Sequence, residues 1–346
     1  MKDPIRFSLM LPHFVDEAAK NPYHVTFRLA RLADRYGYHM GTFGHHSFAP
    51  EIGDPSAPFV VLGAIAAQTD RLRLGTGVYL AALHHPVTLM EQAATLDQLS
   101  GGRAVLGIGL GWRAEEYEGF GIDYRSRASR LEESLTLMRT AWERGHHGHV
   151  GHHFSMREAP VHPACVQKPH MPILIGASAA PALDRAARLG DGWFALPQEA
   201  LPQMQKQVAT YRAACTTAGT QPYVCLMRNA WIADDVETVK DEWMGRMVDF
   251  HNIFSDARAV GESGDTVLAR LLAGAEVSFE DYIKGRAIAG TPDMCAREIH
   301  NWHDAIQFDE ISLIFGGSSD LARLERAITQ FAEEVMPIFS EGPDPS

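Results

Sequence analysis

No run of about 18 apolar residues occurs in the 346-residue sequence, so no helix is expected to span a membrane. Basic residues are also few. The sequence has 31 Lys and Arg against 43 Asp and Glu, and the net charge of −12 argues against nucleic acid or an anionic membrane surface as the main partner. The N-terminal residues lack the pattern of a signal peptide, because their apolar stretch closes on Pro12 and His13.

Cysteine is equally scarce. A disulfide framework needs paired and regularly spaced cysteines, whereas those in this sequence are scattered and form no CxxC pair. We therefore expect reduced thiols and a cytoplasmic protein. The four cysteines are Cys165, Cys215, Cys225 and Cys295.

Short apolar runs alternate with helical patterns along the chain. In residues 24–38, for example, Val25, Leu29 and Leu32 recur at the spacing of one helix face. Eight such βα units predict a parallel (β/α)8 TIM barrel in a single domain over residues 1–346, with insertions after strand 4 and strand 7. A doubly wound open sheet is the alternative. The predicted strands are 5–12, 39–46, 72–80, 103–111, 172–178, 193–197, 223–233 and 310–316, and the aperiodic insertions are 145–170 and 257–290.

The carboxyl ends of barrel strands carry the chemistry of this fold class, and here they are rich in histidine and glycine. Strand two ends in His45 and His46, and glycines end strands three, four and five. Glycine weakens a strand interior, so its recurrence suggests that a flat or anionic molecule approaches the backbone; the alternative is that glycine lets the strands turn outward. Strand five leads directly into a helix. The free N–H groups at the start of this helix, together with the Ser178 hydroxyl, could bind a phosphate. The alternative is that Ser178 is only the N-cap of the helix.

Three segments resemble the bacterial luciferase-like monooxygenase family. They read "AAQTDRLRLGTGVYLAALHHPVTLMEQAATLDQLSGGRAVLGIGLGW", "EEYEGFGIDYRSRASRLEESLTLMRTAW" and "PILIGASAAPALDRAARLGDGW". The resemblance implies a TIM barrel that binds reduced FMN, usually as a homodimer. Such an enzyme uses O2, through a C4a-peroxyflavin, to oxygenate a small organic substrate, and a separate flavin reductase supplies the reduced FMN.

The resemblance also implies which residues form the site. A Glu-His-His stretch ends the second strand in the family, and its first histidine matches His45, the catalytic candidate. With an ordinary pKa of about 6.5, the imidazole of His45 is suited to move a proton at neutral pH or to hydrogen-bond the peroxide. His46 orients the substrate or holds the strand end. A non-prolyl cis peptide under the flavin falls at Gly77–Val78. The implied cofactor-binding residues are Thr76, Gly77, Val78, Gly176, Ala177 and Ser178.

Three positions depart from the family pattern. Gly44 replaces the usual glutamate, Leu110 stands where the luciferases have a phosphate-binding arginine, and Ala177 replaces an acidic residue. Branches of the family use a deazaflavin coenzyme for hydride transfer without oxygen, so a deazaflavin-dependent oxidoreductase is the alternative function. A flavin-binding paralogue without catalysis is a third hypothesis.

Other patterns are weaker. Residues 146–153 are rich in histidine but lack the spacing of a metal site, so we expect a solvated loop over the barrel mouth and no metal. Residues 109–114 match a dinucleotide fingerprint, with Glu132 at the spacing of a ribose carboxylate, but on the wrong strand. The "GASAA" stretch around Ser178 resembles a nucleophile elbow without its last glycine, which leaves an α/β-hydrolase as the non-redox alternative.

Overall fold

Eight parallel strands close into a barrel in the computed structural model, which describes residues 4–11, 23–49, 52, 54–247, 265–316 and 320–339. The barrel strands are β1 (Arg6–Met10), β2 (Met40–Phe43), β3 (Arg73–Thr76), β4 (Ala104–Gly109), β5 (Ile173–Ala177), β6 (Gly192–Ala195), β7 (Val224–Ile232) and β8 (Glu310–Ile314). Each strand pairs in parallel with the next, and β8 pairs with β1. The prediction of a TIM barrel is confirmed, and the open sheet is excluded.

Helices connect successive strands and cover the outside of the barrel. The first helix shows why they form: its buried residues Val25, Leu29 and Ala33 follow the helical spacing and face the strands. The helices are α1 (His24–Arg35), α2 (Pro58–Ala66), α3 (Pro86–Leu99), α4 (Ala114–Gly119), α5 (Arg127–Arg144), α6 (Ala180–Leu189), α7 (Leu201–Ala218), α8 (Val236–Val239), α9 (Thr266–Leu272), α10 (Phe279–Ile283), α11 (Pro292–Ile306) and α12 (Leu321–Gln330). Among the described residues, none of these helices is long and apolar enough to cross a membrane.

The barrel interior is apolar in its middle and polar at its amino-terminal end. At that end the buried Glu310 carboxylate accepts hydrogen bonds from the Ser8 and Tyr223 hydroxyls. These hydrogen-bonded side chains close the amino-terminal end of the barrel. The open mouth is therefore at the carboxyl ends of the strands. The middle cluster comprises Met40, Val105, Leu174, Phe194, Cys225 and Met227.

Three regions differ from the sequence prediction. The third predicted strand is interrupted: β3 ends at Thr76, and a two-residue strand Tyr79–Leu80 pairs further along β4. The first insertion contains an antiparallel hairpin of His146–Val150 and Ser155–Pro160 rather than a loop. Both hairpin strands are largely exposed, so they bury too little apolar surface to show an apolar period.

The second insertion is also more regular than predicted. Helices α9 and α10 lie within it, and the short strand Ile288–Gly290 extends the sheet by pairing in parallel with β7. Residues 257–264 of that prediction lie outside the described residues. These elements are only three to seven residues long, which is too short for a periodic signal in the sequence.

Candidate active site

His45 follows β2 and is held by a backbone donor from the neighbouring strand. The Leu80 N–H donates to Nδ1 of His45 at 3.2 Å, so the proton of the neutral ring lies on Nε2. Nε2 is buried and makes no well-formed hydrogen bond within the described residues, although the Ser56 backbone lies close enough to favour a proton there. The ring is therefore fixed in one tautomer, with its N–H donor at Nε2.

The surroundings of His45 are aromatic and dry. The ring is 1% exposed and stacks on Tyr79, with 4.4 Å between centroids and 11° between planes. The His84 ring lies 5.2 Å away. Burial, helped by the nearby His84 and His46 rings, lowers the pKa of His45 to about 3. His45 is thus a neutral imidazole at physiological pH, and the expected proton exchange near neutrality does not fit this environment.

His46 lies between two carboxylates at the mouth. Its Nδ1 is 3.2 Å from Oε1 of Glu116, whose side chain is fully buried, and that oxygen also accepts the Ser47 N–H at 2.7 Å. Its Nε2 is 4.0 Å from Oδ2 of Asp54. The edge of the Trp112 ring approaches at 6.2 Å between centroids. Asp54 and Glu116 could not be predicted as site residues, because no local sequence pattern marks a carboxylate that folds back onto β2.

The peptide between Gly77 and Val78 is cis, where the resemblance places it. Val78 then lies across the ends of β4 and β5. A Cβ on Gly109 would be 2.7 Å from Cγ2 of Val78, and one on Gly176 would be 3.1 Å from its Cγ1. A Cβ on Gly107 would be 1.8 Å from the Thr76 carbonyl oxygen. We call Val78 with these three glycines the shelf.

The shelf changes the interpretation of the strand-end glycines. They were expected to let a bound molecule approach the backbone, or to let the strands turn outward. Instead the protein's own Thr76 carbonyl and Val78 side chain occupy the space that side chains at these positions would need. Val78 is half-buried and packs against the middle cluster, so an apolar side chain covers the ends of β4 and β5.

Two further predicted cofactor-binding residues use their polar atoms within the barrel. The Thr76 hydroxyl donates to the Gly107 carbonyl at 2.6 Å, and Thr76 is 1% exposed. The Ala177 carbonyl accepts from Trp193 Nε1 at 2.9 Å. Contact of Thr76 or Ala177 with a cofactor therefore stays a prediction, and these two atoms are already occupied.

Ser178 lies at the rim, directly after β5. It is exposed, and its carbonyl accepts from Nε2 of Gln207 at 3.1 Å. Helix α6 begins at Ala180, and its N-cap is Ala179, which provides no side-chain cap. The N-cap alternative for Ser178 is therefore wrong. No side chain caps α6. Pro181 has no N–H and the Ala182 N–H donates to the Ala179 carbonyl at 2.9 Å, so the Ala180 N–H is the first-turn donor that an anion could use.

The family model described as luciferase-like monooxygenase matches residues 5–307. The chain belongs to this family. It is therefore a luciferase-like oxidoreductase. The oxygenase component of the flavin-dependent trigonelline monooxygenase of Acinetobacter baylyi is 26% identical over 341 residues, which cover 94% of this chain and 92% of that protein. The F420-dependent hydroxymycolic acid dehydrogenase of Mycobacterium tuberculosis is 30% identical over 211 residues, 58% of this chain and 57% of that protein.

A solved structure extends the similarity over the whole fold. The crystal structure of the monooxygenase RslO1 from Streptomyces bottropensis is 27% identical and superposes with a TM-score of 0.81, covering 97% of this chain and 100% of that one.

Polar atoms without partners line the interior of this luciferase-like barrel. Thr42 and Asn229 lie two residues beyond Met40 and Met227 of the middle cluster, on the same strand faces, and Ser312 lies on β8. Within the described residues, Thr42 Oγ1, Asn229 Oδ1 and Ser312 Oγ are buried and lack hydrogen-bond partners. Buried polar groups are normally satisfied, so these atoms fit a site that receives a polar ligand.

Exposed aromatic residues border the mouth. Phe48 is 65% exposed, Trp112 52% and Phe120 40%, and the Phe48 and Phe120 rings lie 5.4 Å apart. Phe120 also meets the His84 ring edge-on at 5.4 Å. We call these three residues the aromatic rim. Through Phe120 the rim contacts the buried rings of His84, Tyr79 and His45, and it gives the mouth an apolar border.

The histidine-rich hairpin is bound to α5 by the Glu133 carboxylate, and a contact between His146 and Glu158 links its two strands. His149 Nε2 lies 2.9 Å from Oε1 of Glu133, which also accepts the Phe154 N–H, and His146 Nδ1 lies 2.7 Å from Glu158. Within the part of the chain that the structure describes, no three His, Cys, Asp or Glu residues are grouped so that they could hold a metal. The expected loop over the mouth is thus wrong, since this segment is a hairpin packed on α5.

The remaining sequence motifs lack the structural context that their predicted functions need. Glu132, the proposed ribose carboxylate, is ion-paired with Arg185 of α6 at 2.9 Å. The fingerprint itself follows the fourth strand of a closed barrel, not the first strand of a Rossmann half. An α/β-hydrolase needs an open doubly wound sheet, so the barrel also removes the fold context of a nucleophile elbow at Ser178.

Proposed function

We propose that this protein is the oxygenase of a two-component monooxygenase, which uses reduced FMN and O2 to oxygenate a small organic substrate. The observation that carries the proposal is that the apolar shelf and the uncapped start of α6 open onto the same mouth. A flavin has an apolar ring system and an anionic phosphate, which match these two surfaces. The similarity to an oxygenase component over 94% of the chain supports the oxygen-dependent reaction.

The residues at the mouth fit such a cofactor. The flat ring would contact Val78 and Gly176 of the shelf and the adjoining Gly77. The phosphate would bind to Ser178 and to the first N–H group of α6. Leu110 is partly buried, and its carbonyl accepts the Tyr117 hydroxyl, so this position offers no cation. Phosphate binding therefore depends on backbone and hydroxyl donors. When bound, reduced FMN supplies the electrons that activate O2.

The two histidines have different roles in this proposal. His45 remains the proposed catalytic residue, as a neutral N–H donor from Nε2 and not as a proton exchanger, because its pKa is lowered to about 3 by burial. His46 is the group suited to hold or move a proton, since both of its ring nitrogens face carboxylates. The middle cluster and the aromatic rim exclude water from the mouth, which favours oxygen transfer over peroxide release.

The setting of the enzyme is also a proposal. A separate flavin reductase would supply reduced FMN, as the name of the relative implies for that protein. All four cysteines are buried free thiols, which fits a reducing cytoplasm. We also propose a homodimer through α2 and α3, and the large exposed fractions of the apolar side chains Val60 (74%) and Leu99 (61%) on these helices support it.

A deazaflavin-dependent hydride transfer is the second candidate. The observation that favours it is the 30% identity with an F420-dependent dehydrogenase, although that similarity covers only 58% of this chain. The shelf would bind either ring system, so it does not distinguish the two functions. They are distinguished by their need for oxygen.

Oxygen uptake tests the proposed function. The protein is mixed with FMN, a flavin reductase and NADH in an oxygen electrode, and a panel of small organic substrates is added. We expect substrate-dependent oxygen consumption above the background of free reduced FMN, with less hydrogen peroxide released per oxygen consumed. Consumption that no substrate changes, together with full release of peroxide, would contradict the proposal.

A further inference from the structure

Gly44 has no side chain, and a carboxylate from elsewhere in the chain fills the space in front of it. A Cβ built on Gly44 would be 2.0 Å from Oδ2 of Asp54, 2.6 Å from its Cγ and 2.9 Å from its Oδ1. Real Cβ atoms do not approach other atoms this closely. The backbone of Gly44 is not left-handed, so the conformation itself accepts a side chain. A side chain at position 44 would therefore have to displace the Asp54 carboxylate.

The Asp54 carboxylate lies at the functional end of the barrel. Its side chain is 8% exposed, and Oδ2 is 4.0 Å from Nε2 of His46. On the other side of the ring, Nδ1 of His46 is 3.2 Å from Glu116. Glu116 is in turn fixed by the Ser47 N–H at 2.7 Å. The ring thus has one carboxylate at each nitrogen, one from the segment after β2 and one from α4.

We propose that Asp54 is the positioning carboxylate of this site and takes, in space, the place of an acidic side chain at position 44. This inference rests on the proposed function, in which His46 handles a proton. Glu116 alone fixes one nitrogen of the ring. The Asp54 carboxylate lies 4.0 Å from the second nitrogen, so a proton held on Nε2 lies beside a negative charge, and this attraction favours one orientation of the ring. Asp54 therefore acts through His46 and need not touch the substrate.

A cycle of variants tests the shared space without any cofactor. Gly44→Ala is made in the natural protein and in an Asp54→Gly background, and the melting temperatures are compared. We expect Gly44→Ala to lower the melting temperature in the natural protein and to have little effect when Asp54 is absent, because the obstructing carboxylate has gone. An equal effect in both backgrounds would overturn the claim that Asp54 occupies the space of a side chain at position 44.

Moving the carboxylate tests its function. Asp54→Asn keeps the shape and removes the charge; we expect kcat to fall by about tenfold to 100-fold, the range for loss of a carboxylate that orients a functional histidine, with the Kd of reduced FMN unchanged. The double variant Gly44→Asp with Asp54→Gly should recover part of kcat, because it returns a carboxylate to the same place. Glu115→Gln is the control: this residue is exposed on α4 beside Glu116, and its loss should leave kcat unchanged.

A spectroscopic measurement separates this inference from the proposed function. In ¹H–¹⁵N spectra of the cofactor-free protein, the Nε2 resonance of His46 should shift in Asp54→Asn and return towards its natural position in the double variant. An Nε2 resonance that Asp54→Asn leaves unmoved overturns the positioning role, whatever the activity. If the resonance shifts but the natural protein consumes no oxygen with reduced FMN, the proposed function fails while the place of Asp54 stands.

Discussion

The imidazole of His45 makes the stability of the protein depend on pH, and one substitution isolates this effect. His45 is buried and neutral, with a pKa of about 3 in the folded protein against an ordinary value of 6.5. Between these two values the unfolded chain binds a proton that the folded protein does not. Stability due to His45 is therefore present above pH 6.5 and is lost progressively as the pH falls towards 3.

The size of the effect follows from the shift. One pH unit below the unfolded pKa corresponds to about 1.4 kcal/mol for a single group, so lowering the pH from about 7 to about 5 costs roughly 2 kcal/mol at His45. His45→Asn removes the titrating group and keeps an oxygen that accepts the Leu80 N–H. It should be less stable at pH 7, because the stacking on Tyr79 is lost, but it should lose about 2 kcal/mol less between the two pH values.

Urea unfolding of both proteins at the two pH values measures this difference. The pKa of His84 is also lowered by burial, but His84 is present in both proteins and cancels. His152→Asn, at an exposed position of the hairpin, is the control and should follow the natural protein. If His45→Asn and the natural protein lose equal stability between pH 7 and pH 5, His45 exchanges protons with solvent, and its assignment as a neutral donor is wrong.

Three further predictions concern the shelf, the rim and the outer helices. Gly107→Ala places a Cβ 1.8 Å from a backbone oxygen and should destabilise the fold by roughly 4 kcal/mol or more. In the control Gly63→Ala, on α2, the new Cβ is 3.6 Å from its nearest atom, and the substitution should stabilise the fold by about 0.5 kcal/mol. Thermal unfolding compares the two variants, and a Gly107→Ala protein as stable as the natural one would refute the geometry of the shelf. Ser178→Glu puts a negative charge at the proposed phosphate site and should weaken the binding of reduced FMN by about tenfold in anaerobic fluorescence titrations. The control Gln205→Glu, at an exposed position of α7, should leave the affinity unchanged. Equal affinities of the two variants for reduced FMN would place the phosphate elsewhere. Leu99→Glu should convert a dimer into monomers in light scattering, and an unchanged mass would exclude α3 from the interface.

Much of the fold could be predicted from the sequence, because strands buried on both faces form continuous apolar runs. β7 is the clearest case: all nine of its residues are buried, and the prediction of 223–233 differs from it by one residue at each end. The interruption at Gly77–Val78 could be placed only through the family resemblance. The hairpin in the first insertion was missed, since exposed strands have no apolar period.

The site was less accessible to sequence reasoning. The position of His45 after β2 could be inferred, but its lowered pKa arises from burial, and the rings of Tyr79 and His84 pack on it only in the folded protein. Glu116 lies 70 residues from His46 in the chain, and no spacing rule relates them. Contacts of this kind depend on how loops return to the barrel mouth, and a single sequence does not encode them in any local pattern.

Equilibrium titration of the protein with reduced FMN and with the deazaflavin coenzyme, both under anaerobic conditions, separates the oxygenase from the hydride-transfer enzyme. We expect saturable binding of reduced FMN at micromolar concentration and much weaker binding of the deazaflavin. Selective binding of the deazaflavin, with no measurable binding of reduced FMN, would contradict the oxygenase and favour oxygen-independent hydride transfer.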